Sequence, residues 1–141
     1  MPRWSHRFLP LALVLLLPSC GSDNSFSPTV ENVSGSYSAT SFTAASTAGT
    51  LDLLALGASV HVTLAANGTT TGRLLVPGGD GAGGDLDQDL AGTWTLSGDT
   101  VTFNPTGASV IQGAQFTAAR DQLTGEGTFG DQTLRLVLTK D

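Results

Sequence analysis

The sequence predicts an all-β domain, an eight-stranded antiparallel up-and-down barrel, behind an N-terminal export signal. Three observations carry this reading. Apolar and polar residues alternate with a period of two along several short runs, Gly-Asp, Asn-Gly and Arg-Asp pairs separate those runs, and nothing after residue 33 keeps a helical period. Composition agrees, since 18 Gly and 19 Thr punctuate a chain of 141 residues that is 40% apolar and 13% charged. That is too apolar and too weakly charged for a disordered chain, and the length suits one domain with a real core.

Arg3 and Arg7 precede the apolar run from Phe8 to Leu17. The run falls well short of the ~20 residues needed to cross a bilayer. A basic start, a short apolar stretch and a small residue before a cut site make residues 1–19 a secretory signal. Its end, Leu17-Pro18-Ser19-Cys20, resembles the lipobox of bacterial lipoproteins, in which the cysteine is acylated (palmitate) and becomes the mature N-terminus. Cys20 is the single cysteine of the sequence, so no intrachain disulfide is possible. The resemblance implies a cell-envelope protein anchored through lipid on Cys20. With Gly21 rather than Asp after the cysteine, it implies the outer membrane in a Gram-negative host. Removing residues 1–19 leaves 4 basic residues against 12 acidic ones, a charge of −8. Anionic head groups repel such a surface, so the lipid is the expected hold on the membrane, and a nucleic-acid partner is not expected. Residues 20–32 read as the lipidated cysteine and a polar, flexible tether, and residues 33–141 as the barrel domain.

The eight strands fall at about 34–43, 59–65, 69–76, 92–97, 100–104, 113–119, 122–129 and 132–139. Turn chemistry sets their registers. Gly98-Asp99 as a two-residue turn pairs Trp94 with Phe103 and Leu96 with Val101, leaving the other face to threonine and serine. A slip of one residue would destroy that sorting. Gly130-Asp131 sets Gly127 opposite Leu134, Gly125 opposite Leu136 and Leu123 opposite Leu138, with Glu126 and Arg135 as an expected surface ion pair. A longer loop around Asn67-Gly68 sets Val62 opposite Gly72 and Val60 opposite Leu74, and Arg120-Asp121 joins Phe116–Ala118 to Leu123–Gly125. The three long connections then share one end of an up-and-down barrel and three tight turns share the other. This is the plan of a cup, and closure removes the exposed sheet edges.

Gly35-Ser36-Tyr37 on the first strand and Gly92-Thr93-Trp94 further along make most of residues 33–140 resemble small bacterial lipocalin-like lipoproteins. The resemblance implies a barrel with room for a small apolar molecule. It also implies a basic residue from the end of the chain, Arg135 or Lys140, packed over the first-strand aromatic.

The candidate ligand-binding residues are the aromatics expected inside, Tyr37, Trp94, Phe103, Phe116 and Phe129, with Leu53 and Leu54 in an apolar segment that serves as a lid turn or an extra strand edge. An eight-stranded barrel is either filled by its own side chains or holds one small ligand. Gly72, Gly125 and Gly127 face inward, which provides either space or seats for neighbouring aromatics. Residues 77–90 read as a solvated lid loop. Asp85, Asp87 and Asp89 alternate within it as calcium-loop carboxylates do, but Leu90 and Leu96 stand where such a loop needs Gly and Glu, so the calcium candidate is weak. His61 should point outward from its strand, and one histidine does not make a metal site. Without a nucleophile–base motif, metal cluster or cofactor motif, the expectation is a protein that is not an enzyme and carries no cofactor. Two classes remain: a lipid-anchored barrel binding a small apolar ligand, and an envelope interaction, scaffold or inhibitor module with a filled barrel and an unknown protein partner.

Overall fold

A computed structural model of the chain describes residues 25–107 and 109–141. The signal sequence, Cys20 and the first part of the tether lie outside the described residues. The chain forms α1 (Val30–Val33), β1 (Gly35–Ser46), β2 (Gly49–Asp52), β3 (Ser59–Leu64), β4 (Thr69–Val76), β5 (Leu86–Asp89), β6 (Gly92–Ser97), β7 (Thr100–Pro105), β8 (Gln115–Ala119), β9 (Gln122–Phe129) and β10 (Gln132–Lys140). All strand pairs are antiparallel. The order β1-β3-β4-β6-β7-β8-β9-β10 closes on itself through a β10–β1 pairing, giving an eight-stranded up-and-down barrel. The registers follow the hydrophobic alternation: Trp94 pairs with Phe103, Val62 with Gly72, Leu123 with Leu138 and Phe116 with Gly125. Because side chains alternate between faces, these pairings send the apolar set inward and Thr93, Thr95, His61, Arg73 and Arg135 outward.

The two remaining strands extend the wall at one end. Past a bulge at Thr40, β1 leaves β3 and pairs with β2 through Thr43–Ser46, while β10 follows its other edge along nearly the whole length. Likewise β4 pairs with β6 through Thr69 and Thr70 and with β5 through Arg73–Val76. Buried Thr70 holds the break between β5 and β6 by donating its hydroxyl to Leu90 O at 2.8 Å. Residues 86–89, expected within a loop, are therefore strand. Their acidic sequence is a poor strand former, and pairing with β4 overrides it.

The two ends of the barrel differ. The tight turns β3–β4, β6–β7 and β8–β9 share one end with α1 and the C-terminus, and this is the closed end. Thr29 caps α1 by accepting from Asn32 N at 3.2 Å, and the Asn32 side chain accepts from Thr29 N at 2.8 Å. Val33 is buried beneath it, and Phe26 packs against the core with the Arg120 guanidinium 5.9 Å from its ring centroid. Phe26 and the cap residues Thr29 and Asn32, within the stretch expected to be tether, are thus part of this end of the barrel. At the opposite, open end lie the β1–β3, β4–β6 and β7–β8 connections and the β9–β10 hairpin tip.

Candidate functional site

In the closed half the barrel is filled. Tyr37, Leu64, Val101, Phe103, Phe116, Leu123 and Leu138 are buried, and Phe103 and Phe116 meet edge to face at 5.0 Å between centroids. Gly125 exists for this packing, since a Cβ there would come 2.5 Å from the Phe116 ring. Trp94 donates its indole N–H to Ala65 O at 2.8 Å, and Tyr37 donates its hydroxyl to Val33 O at 2.7 Å. Burial pushes the Tyr37 phenol above its ordinary pKa, and the Asp121 carboxylate adds to the shift. The basic residue that the lipocalin resemblance calls for is Lys140. Its Nζ lies 5.9 Å from the Tyr37 ring centroid and donates to Asn32 O at 2.9 Å, and its stem runs over Gly35, where a Cβ would push it aside. Tyr37, Lys140 and α1 together stopper this end.

In the open half the interior is not filled. A cavity of about 510 Å³ opens there, within the range of small-molecule sites. Phe42, Ala44, Leu53, Val76, Leu86 and Leu134 form its apolar wall. Leu51, Leu56 and Phe129 stand around it half exposed, at 50%, 56% and 49%. Large apolar groups left in water around a hollow are the informative kind of exposed hydrophobic. A side hollow of about 30 Å³ continues beneath Phe42 and Leu134 toward Phe116, with Gly125 and Gly127 on its wall. Unlike Gly125, Gly127 leaves open space where a Cβ would stand.

Local structure holds the rim in place. Asp52 Oδ1 accepts from Leu54 N and Ala55 N and turns the chain after β2, so that Leu53 is buried and donates its N–H to Phe42 O at 2.8 Å. The glycine-rich loop 77–85 is also tied down. Asp80 Oδ1 accepts from Ala82 N at 2.7 Å and Gly84 N at 2.8 Å, and Asp85 Oδ1 accepts from Gly78 N at 3.0 Å. Gly78, Gly81 and Gly83 take positive φ values of 67°, 79° and 92° there, which glycine alone adopts freely. Gln88 Oε1 accepts from Val110 N at 3.0 Å and so joins the β4–β6 and β7–β8 connections across the mouth.

Of the residues expected to line a pocket, Leu53 and Phe129 do so. Phe129 is at the rim rather than in the interior, because β9 runs beyond the barrel body. Tyr37, Trp94 and Phe103 are core of the closed half, Phe116 borders the side hollow and a polar groove beside Thr100 and Arg135 rather than the main cavity, and Leu54 packs against the core from the turn outside. Sequence reasoning missed Phe42, Ala44, Val76, Leu86 and Leu134.

The three aspartates weighed for calcium are each engaged separately. Asp85 holds Gly78 N, and Asp89 accepts from Ala91 N at 2.8 Å. Asp87 accepts from Arg73 Nε at 2.7 Å and Nη2 at 2.5 Å. The guanidinium holds the Asp87 carboxyl below its ordinary pKa. Among the described residues no group of three or more His, Cys, Asp or Glu side chains could hold a metal ion. Glu126 and Arg135 face each other in register, but the ion pair found among the described residues is Arg73–Asp87.

His61 lies on the outer wall, with Nδ1 2.9 Å from Ser38 Oγ, and Ser38 Oγ donates to Asp141 Oδ1 at 2.7 Å. These three residue types also build nucleophilic triads, but the order here is different. The carboxylate takes the serine proton, where a triad places it on the histidine to make that ring a base for the serine.

Fold and site together define a class: a closed eight-stranded antiparallel barrel, filled and stoppered at one end and hollow at the other. Comparison with protein-family models, curated proteins and solved structures finds no match for this chain.

Proposed function

We propose that this chain is a lipid-anchored protein of the cell envelope, a lipocalin-like lipoprotein whose barrel takes up a small apolar molecule at its open end. The observation that carries the proposal is the apolar cavity of about 510 Å³ with Leu51, Leu56 and Phe129 exposed around it. Full burial of a large apolar side chain is worth about 1.5–3 kcal/mol, and an apolar guest covering these half-exposed three would recover roughly half of that at each. Binding rather than catalysis suits a lining of aliphatic and aromatic side chains and glycine backbone with a single carboxylate and one amide.

The anchor supports the same reading. Among the described residues no helix is long and apolar enough to cross a membrane, and the proposed attachment is the lipid on Cys20. Phe26 packs on the closed end and Cys20 stands six positions before it, a span of at most roughly 20 Å of extended chain. A lipid on Cys20 would hold the closed end toward the membrane and turn the mouth to the aqueous side, where ligand exchanges with water or with another carrier.

Two experiments test the two halves of the proposal. Cys20→Ser should abolish labelling by radioactive palmitate and move the protein from the membrane to the soluble fraction; labelling that persists rules out the lipobox. Phe129→Trp places a reporter at the mouth, while buried Trp94 is a silent internal reference. Addition of dodecanol should shift the emission of the new tryptophan. An unchanged spectrum, together with unchanged binding of an uncharged hydrophobic dye in Ala44→Phe, would contradict the carrier reading.

A further inference from the structure

The charges around the cavity deepen the carrier reading, on which this inference rests, by selecting among apolar ligands. Among the described residues the cavity lining contains one ionisable side chain, Asp131, at the tip of the β9–β10 hairpin. No donor among the described residues is bonded to its carboxylate, so it is available to a guest. Two more carboxylates, Asp80 and Asp85, belong to the loop whose Gly78, Gly79 and Gly81 line the cavity, whereas Asp52 lies on the face of β2 opposite the lining residue Leu51.

No basic side chain among the described residues offsets them. Arg73 is on the outer wall and bound by Asp87. Arg120 and Lys140 are at the closed end, against Phe26 and Tyr37. Arg135 follows Leu134 on the opposite face of β10, across from Glu126. A fatty acid entering tail first would bring its carboxylate to rest among carboxylates. A cation on the same tail would be drawn to them, and low-dielectric walls strengthen both effects.

We propose that the open-end cavity is a site for cationic amphiphiles, with the apolar chain between Phe42, Ala44, Leu53, Val76 and Leu134 and the positive head at Asp131, and that it discriminates against carboxylated chains of the same length.

The test titrates the protein with dodecyltrimethylammonium, dodecanol and dodecanoate, each below its micelle concentration, by displacement of an uncharged hydrophobic dye. At low salt the cation should bind about tenfold or more tighter than the carboxylate, a gap that one or two charges near a protein surface can supply. Added sodium chloride should narrow the gap, since salt screens exposed charges beyond about 10 Å at 0.1 M. Asp131→Asn should narrow it by several-fold, and an unchanged gap in that variant overturns the place given to Asp131. Dodecanoate binding as tightly as the cation overturns the charge selection and leaves the apolar carrier standing. Failure of all three probes overturns both. Cation binding that survives in Ala44→Phe, or in Leu134→Phe should the first variant unfold, is binding to the acidic surface and also overturns the proposal.

Discussion

The closed and open halves of this barrel use the same strands and the same inward parity to opposite ends. In the closed half large aromatics interdigitate, and a helical turn with Lys140 covers the bottom. In the open half the inward residues surround a cavity, two extra strands raise the wall, and the rim keeps large apolar groups partly in water. Stability and function are thereby separated along the barrel axis. Stability resides where burial is complete, and the half that can receive a guest contributes least to it.

That separation should appear first in stability. Phe103→Ala, at 1% exposure and in edge-to-face contact with Phe116, should cost about 3–5 kcal/mol in chemical denaturation. Leu51→Ala at the rim, 50% exposed, should cost less than about 1 kcal/mol and weaken dye binding instead. Equal costs would erase the distinction between the halves.

A sharper comparison lies within β9. Gly125→Ala drives a methyl group into the Phe116 ring and should destabilise by about 1–3 kcal/mol. Gly127→Ala, two residues on and with the same parity, meets nothing within 4 Å and should be neutral or stabilise by a few tenths of a kcal/mol. The denaturation midpoints of the two variants should move apart.

The smallest expected effect is at the stopper. Tyr37→Phe removes the hydroxyl bonded to Val33 O and should cost about 1 kcal/mol at neutral pH. The Tyr37 pKa is raised in the folded state, above its ordinary value near 10. Its contribution is therefore fully present below the unfolded pKa and is lost as pH rises through the folded one. Wild type should lose stability in the alkaline range more steeply than Tyr37→Phe. Parallel pH profiles would mean that the phenol is not held by burial and the Val33 carbonyl.

The barrel and its registers were legible in the sequence because a one-residue slip would invert each strand. Trp94 against Phe103 and Leu123 against Leu138 follow from turn residues and alternation alone. Height along the barrel was not legible. Parity tells which face a residue takes but not its level, so Trp94 and Phe129 read alike in sequence although one is core and the other rim. The strand β5 was hidden for another reason. Leu86-Asp87-Gln88-Asp89 has no preference for extended structure and gains it from pairing with β4, where Arg73 meets Asp87. The packing of Phe26 is likewise tertiary, one aromatic in a polar stretch that finds the barrel floor, whereas the cap at Thr29 is a local contact with Asn32.

The most direct test of a hollow open half over a filled closed half is chemical-shift mapping of the protein with dodecyltrimethylammonium. Binding in the open half predicts shifts at Phe42, Ala44, Leu53, Val76, Phe129, Asp131 and Leu134, with Tyr37, Trp94, Phe103 and Leu138 unmoved. Shifts centred on the closed half, or scattered over the outer acidic surface with the cavity residues unchanged, would contradict it.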